Sequence, residues 1–267
     1  MLHRFPAKAA GLALVLLALY GCKATETPEY NVKPANTGAV GTLIYDGISD
    51  DLLTAGLGVA GLQLATPPAI ADPANPSVGE LRRLAIYNAY KATVDTTTAG
   101  GFGVLFGPNV DASGLANATA GTVPGNEYIS FLDDGSGRQN VTVMVQIPLF
   151  FSRTAPCIVT AASAGSFGVY GAMPTAGEWG LKRGCALAII DKGTGAGVHD
   201  LAGDTVNTID GTRKTVTAAG TTSNFTAAMT AAERDAYNAA FPNRVAIKHA
   251  HSQQNPERDW GALTLRA

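Results

Sequence analysis

The sequence is poor in charge. Asp, Glu, Lys and Arg make up 15% of its 267 residues, against roughly 25% in ordinary soluble domains. The formal net charge is −2, which excludes a nucleic-acid binder that works by displacing counterions from phosphates. Disorder needs low hydrophobicity and high charge, and apolar residues here are 46% of the chain. No apolar run reaches 18 residues, so the chain does not read as a bundle of membrane-spanning helices. There are three cysteines, four histidines and two tryptophans, and their spacing matches no zinc signature. What fills the chain instead is small: 45 alanines and 31 glycines. That balance predicts a close-packed core of the kind found in buried parallel sheets, and an α/β class.

Residues 1–22 read as an export signal. His3, Arg4 and Lys8 form a short basic segment, and Ala9 to Leu19 is an apolar run of 11 residues, too short to cross a bilayer. The run ends in Leu19-Tyr20-Gly21-Cys22, which resembles a bacterial lipoprotein box with Cys22 as the lipidated residue. A plain secretory signal with a chance cysteine is the alternative. Cleavage there leaves 17 basic against 21 acidic side chains. The mature chain is then expected in the cell envelope, touching the membrane only through its lipid, or outside the cell. Residues 23–40, rich in Thr, Pro, Asn and Glu, read as a tether. Cys157 and Cys185 would lie in an oxidising compartment. Each opens an apolar run, CIVTA and CALAII. If these runs are neighbouring parallel strands, a disulfide requires the two Cα atoms to come within about 7 Å. Two buried thiols are the alternative.

Residues 41–126 read as an N-terminal extension with one clear helix. Ser77 and Glu80 have capping-box spacing, and Leu81, Leu84, Ala85 and Ala89 behind them share a face, predicting a helix near 78–92. From 127 to 267 the pattern is more regular. GNEYISFLDD and NVTVMVQIPLFF, joined by a Gly-containing turn, predict two antiparallel strands. A covered strand follows at 157–161. A helix is expected from Pro174, with Thr175 and Glu178 as a second capping box and Gly184 at its end. A further strand covers 185–190. The Thr/Gly-rich stretch to about 224 reads as a surface loop. Thr230 and Glu233 frame a third capping box for a helix that Pro242 closes. A last helix is expected from Asn255 as N-cap, with Pro256 and Glu257 in its first turn and Trp260 and Leu263 on one face. An antiparallel pair followed by strand–helix–strand is how an α/β-hydrolase sheet begins. That fold then needs a strand carrying its nucleophile on a sharp turn. The sequence ends where that strand is due, so the sheet is expected to be incomplete and the nucleophile to lie beyond Ala267.

The candidate chemistry is sparse. Ser163-Ala164-Gly165-Ser166 follows a strand and is ringed by small residues. Such a loop suits an oxyanion hole, because backbone N–H groups need room to approach a developing anion. Ser166 as a nucleophile, and a plain Gly-rich connection, are the alternatives; the G-x-S-x-G pattern of a nucleophile elbow is not met. With Ser166 as nucleophile, Asp191 or Asp200 and then His249 would stand in triad order. His199, His249 and His251 are the only histidines after the signal. An i,i+2 pair with Glu257 and Asp259 nearby falls short of a metal site, so none is assigned. Residues 191–197 resemble a phosphate loop in composition only and are expected to border a cleft at the sheet's C-terminal edge.

Four stretches resemble the D-(−)-3-hydroxybutyrate oligomer hydrolases of bacteria. They are YDGISDDLLTAGLG (45–58), ELRRLAIYNAYKATVD (80–95), GVYGAMPTAGEWGLKRGCALAIIDKGTG (168–195) and KHAHSQQNPERDWG (248–261). The resemblance implies a serine esterase of α/β-hydrolase type that cleaves short 3-hydroxybutyrate oligomers and dimers in polyhydroxybutyrate breakdown. It implies export, a small-molecule ester as partner, and no metal or organic cofactor. The resemblance implies a Ser-Ser-Gly-Ser-Arg-Gly pattern in the loop at 162–168. Here Ala164 and Phe167 interrupt it, which puts recognition of an oligomer's carboxylate end in doubt. Family members are far longer, and no triad position carries over. An envelope lipoprotein without catalysis, and a tannase-like or feruloyl-esterase-like hydrolase, are the competing readings.

Overall fold

The computed structural model describes residues 33, 35–133, 140–163, 167–191, 197–248 and 258–267. Its centre is a five-stranded mixed sheet. Strand β1 (Gly41–Tyr45) pairs antiparallel with β2 (Gly125–Leu132), and β2 with β3 (Val141–Pro148). Strand β4 (Ile158–Ala162) lies parallel to β5 (Ala186–Ile190), and β5 pairs antiparallel with β3, giving the order β1-β2-β3-β5-β4. Strand β5 is buried along its whole length, as its unbroken apolar sequence requires when both faces are covered.

The strand pairing fixes which side chains share a face. Leu43, Glu127, Gln146 and Leu187 stand in register across β1, β2, β3 and β5. On that face Met144, Leu187 and Ile189 pack with Ile86 and Tyr90 of α2 (Val78–Thr93). Leu52, Leu53 and Leu62, the last in α1 (Gly58–Gln63), fill the same core. On the opposite face Val141, Val143 and Ile190 meet Leu263 of α6 (Trp260–Arg266). Helices thus cover both faces.

Between β4 and β5 the chain makes a 3-10 turn (Val169–Ala172), a π turn (Met173–Gly177) and α3 (Glu178–Lys182). Gly180 lets this layer approach closely, since a Cβ there would lie 3.0 Å from Val159 Cγ2. Gly184, at φ 74°, terminates α3, which is glycine's usual role there. The expected capping box at Thr175 does not form. The Thr175 hydroxyl donates to Ala172 O, and Glu178 turns inward to other partners. The boxes at Ser77–Glu80 and Thr230–Glu233 form as expected, the second opening α5 (Ala231–Ala240).

Three expectations need correcting. The segment 41–126 holds β1 and α1 as well as α2. The buried residues of α2 are Arg82, Ile86, Tyr87, Ala89 and Tyr90; of the expected face only Ala89 is among them, and Leu81, Leu84 and Ala85 are half-buried. The stretch 197–224 is a second sheet, not a surface loop. Strands β6 (Val198–Asp200), β7 (Thr205–Asn207) and β8 (Arg213–Thr215) join β9 (Val245–Ile247) in the order β8-β7-β6-β9. A four-residue helix, α4 (Val216–Ala219), follows β8. Val206, Ala219 and Phe225 bury the sheet's apolar side. Three-residue strands leave too short an alternation to be read from sequence.

The Cys157–Cys185 disulfide forms, with Cα atoms 4.7 Å apart. The expected N-cap residues Asn255, Pro256 and Glu257 lie outside the described residues; the described helix there is α6, where Leu263 is buried and Trp260 exposed. The signal, 1–22, and the tether as far as residue 32 also lie outside; the end of the tether, 35–40, is described and lies against β2, where the Gly38 amide donates to Phe131 O at 2.8 Å. No described helix is long and apolar enough to cross a membrane.

Candidate functional site

Parallel strands β4 and β5 end at Ala162 and Ile190, and there a cavity of about 160 Å³ opens on the α2 side of the sheet. Thr142, Asp191 and Ile129 line it from the sheet, Leu81, Arg82 and Ala85 from α2, and Phe167 to Tyr170 from the loop after β4. The second sheet supplies Ile209, Asp210, Gly211 and Asn224. It is tied down at this edge by Asn140 Nδ2, which donates to Thr221 O and Ser223 O at 2.8 Å each, and by Lys248 Nζ, 2.5 Å from Asn140 O.

The floor is a buried ionic cluster. Glu127 is fully buried and Arg82 nearly so. Tyr170 and Tyr45 hydroxyls donate to Glu127 Oε1 at 2.9 and 3.3 Å, and Gln146 Nε2 donates to Oε2 at 2.7 Å. Arg82 donates to Asp50 Oδ1 at 2.7 Å and to the Asp51 and Leu52 carbonyls. Its guanidinium lies 4.0 Å from the Tyr45 ring centroid, a cation–π contact. Arg82 Nε stands 3.6 Å from Glu127 Oε2 and has no hydrogen-bond partner. Burial, then the Glu127 charge, pushes the Tyr45 and Tyr170 phenols well above the ordinary tyrosine value. The strands supply Glu127 and α2 supplies Arg82. The turn at 46–56 is fixed by buried Asp51, which accepts from the Leu53, Thr54, Gly56 and Val123 amides.

A second buried cluster braces the back of the site. Glu178 accepts from the Tyr90 hydroxyl at 3.0 Å, the Gly107 amide at 3.1 Å and Lys182 Nζ at 2.9 Å. Burial and then Glu178 raise the Tyr90 phenol well above its ordinary value.

Of the residues singled out in sequence, Asp191 lines the cavity, as the cleft reading of 191–197 expected. Ser163 is fully buried beside it. Its hydroxyl donates to Gly168 O at 2.5 Å, and its amide donates to Ile190 O at 2.7 Å. That amide is spent on the parallel ladder, so an oxyanion role rests on Ala164, Gly165 and Ser166, which lie outside the described residues. His249 and His251 lie outside them too. His199 is buried, and both its ring nitrogens are engaged. Its Nδ1 accepts from the Ala227 amide at 3.3 Å, which leaves Nε2 to donate to Asp204 Oδ1 at 3.1 Å. Asp200 caps its own turn, accepting from the Ala202 amide. Among the described residues no three His, Cys, Asp or Glu side chains are grouped to hold a metal ion. Arg82, Glu127 and Asp210 were missed. The available signal was an arginine inside the Ile86–Ala89–Tyr90 stripe, at i, i+4, i+7 and i+8.

The 3HB-oligomer hydrolase (3HBOH) family model matches residues 16–267. The chain belongs to the 3HB-oligomer hydrolase family. It is 56% identical over 262 residues to the D-(−)-3-hydroxybutyrate oligomer hydrolase of Albidiferax ferrireducens, covering 97% of this chain and 37% of that protein. The protein of that name from Polaromonas sp. is 57% identical over 98% of this chain and 36% of its own length. One from Ralstonia pickettii is 57% identical over 94% and 35%. The chain thus spans little more than a third of the curated relatives it matches. No solved structure matches it. The stretch 80–95 supplies Leu81, Arg82 and Ala85 to the cavity, and 45–58 supplies Tyr45, Asp50 and Asp51, which hold Arg82.

Proposed function

We propose that these residues form part of a serine-type carboxylic ester hydrolase that cleaves 3-hydroxybutyrate dimers and short oligomers to the monomer, in polyhydroxybutyrate breakdown. The observation that carries this is identity of 56–57% over 94–98% of the chain to hydrolases of that name. An α/β-hydrolase-like sheet is supported by the antiparallel β2–β3 pair leading into the parallel β5–β4 pair, with helices on both faces. The position of the cavity, at the carboxyl ends of the parallel strands, is where open α/β sheets bind ligands. Export, with Cys22 as lipid attachment or with a plain secretory signal, is supported by the disulfide, which persists in oxidising compartments.

The chemistry is acyl transfer: a serine attacks the ester carbonyl, a histidine moves the proton, and backbone N–H groups hold the oxyanion. It needs neither metal nor organic cofactor. This reading gives the oxyanion role to the amides of 164–166. It puts the nucleophile and its base in chain outside these 267 residues. His199, the one described histidine, has both nitrogens engaged.

The test is release of 3-hydroxybutyrate from its linear dimer. The 267-residue chain alone should release none. The same residues joined to the remaining length of the Albidiferax ferrireducens relative should turn over the dimer but not methyl ferulate. Turnover by the 267-residue chain, lost in Ser166→Ala, would overturn the assignment.

A further inference from the structure

We propose that Ser163 is a positioning residue that sets the acyl specificity of the cavity: through Gly168 it fixes where Phe167 closes the rim, and so holds the space to a four-carbon acyl unit. This rests on the hydrolase reading above. Size sets the limit. A cavity of about 160 Å³ is of the order that takes up benzene, at ~150 Å³, and one 3-hydroxybutyryl unit is close to benzene in heavy-atom count. Its walls at Leu81, Ala85, Ile129 and Val169 are apolar, which suits a methyl branch. A propyl branch in its place needs room that only outward movement of a wall would give.

Most of the enclosure is held by bonds of its own. Arg82 donates to Asp50 Oδ1 and to the Asp51 and Leu52 carbonyls, which seats Leu81 and Ala85 of the same helix. The Thr208 and Thr212 hydroxyls donate to Asp210 Oδ1 at 2.7 Å each, closing the turn at 209–211. In the wall at 167–170, Val169 is buried, and the Tyr170 hydroxyl donates to Glu127 Oε1 at 2.9 Å. Phe167 differs: its all-carbon side chain is 37% exposed, so its place follows from its neighbour. Gly168 O accepts from the Ser163 hydroxyl at 2.5 Å and from the Gly171 amide at 3.2 Å. Ser163 is itself fully buried just past β4, and its amide donates to Ile190 O of β5. The serine thereby ties the rim to the sheet. Gly168 has φ 62° and ψ −164°, a region essentially restricted to glycine. The bend beside Phe167 is thus specified twice, by a glycine backbone and by a serine hydroxyl. A residue that held only the fold would slow all substrates alike, whereas one that sets the rim changes their ratio.

The experiment is competition between the linear dimers of 3-hydroxybutyrate and of 3-hydroxyhexanoate, on these residues joined to the remaining length of the Albidiferax ferrireducens relative. It is read as the ratio of the two kcat/KM values, which does not depend on how much of the enzyme is folded. In each dimer both units carry the same branch, so the ratio reports branch size alone. The wild type should favour the 3-hydroxybutyrate dimer by about tenfold or more, the scale on which an apolar pocket discriminates methylenes. Ser163→Ala should narrow that preference by about tenfold, the worth of one hydrogen bond, through relatively faster turnover of the longer dimer. Ser163→Thr, which keeps the hydroxyl, should retain the wild-type ratio. Phe167→Ala, at an exposed position, should narrow the preference by a similar factor. In Ser163→Ala/Phe167→Ala the two effects should not multiply, because the serine acts through the ring. A Ser163→Ala enzyme that slows both dimers equally, effects that multiply in the double variant, or a wild type without preference would overturn the role of Ser163 and leave the hydrolase. An unchanged ratio in Phe167→Ala would overturn it even where Ser163→Ala failed to fold. No turnover of either dimer by the joined wild type sinks the hydrolase reading itself, and this role with it.

Discussion

Glu127 has its charge buried among Tyr45, Tyr170, Gln146 and Arg82. Truncating one member of such a set leaves the others uncompensated, which typically costs about 3–5 kcal/mol. Glu127→Ala should therefore lower the urea stability by about that much, and Arg82→Met likewise. The double variant Arg82→Met/Glu127→Gln should lose less than the sum of the single changes. The same burial holds the Tyr45, Tyr90 and Tyr170 phenols above their ordinary value of 10.0. A raised folded-state pKa means that the unfolded chain releases these protons first. The stability they carry is whole below pH 10 and is lost as pH rises past it. Urea midpoints should fall between pH 9.5 and 11, and fall less in Tyr170→Phe. A midpoint flat across that range would contradict the buried network. None of this was legible residue by residue. Arg82 and Glu127 look like surface charges until β-pairing and the helix face bring them together, whereas Cys157 and Cys185 were legible because each opened an apolar strand.

At the scale of elements, capping chemistry is local and so reads directly from sequence. Ser77 accepts the Glu80 amide, and Glu80 Oε2 accepts the Ser77 amide and hydroxyl. Ser77→Ala should cost about 1 kcal/mol in thermal unfolding. Hydrogen bonds from the Ala71 amide, then from Ser77, lower the Glu80 carboxyl to about 2. The support it gives α2 is present above the ordinary glutamate value of 4.5 and is lost as pH falls towards 2. Acid unfolding of the wild type should be steeper over that interval than that of Glu80→Gln. Local spacing fails where a long-range partner outbids it. Thr175 and Glu178 have box spacing, yet Glu178 serves Tyr90, Gly107 and Lys182 instead. The second sheet was illegible for another reason: its strands are three residues long, too short for an alternation to show.

For the whole molecule, the disulfide joins β4 and β5 across 28 residues of chain that hold the cavity loop and α3. Replacing both cysteines by serine should lower stability by about 3 kcal/mol, read as a shift in urea midpoint matched by the wild type under reductant. Strand β4 pairs only with β5 among the described residues, and Ile158 at its start is exposed. An open strand edge invites association, so the 267-residue chain should self-associate at rising concentration in sedimentation runs. In the proposed function these residues supply the framework and a cavity at the ends of the parallel strands, and a serine outside them supplies the attack. The direct measurement is mass-spectrometric mapping of a fluorophosphonate adduct on the chain joined to the remainder of its relative. The account predicts a single adduct on a serine outside residues 1–267. An adduct on Ser166 or Ser163 would contradict it.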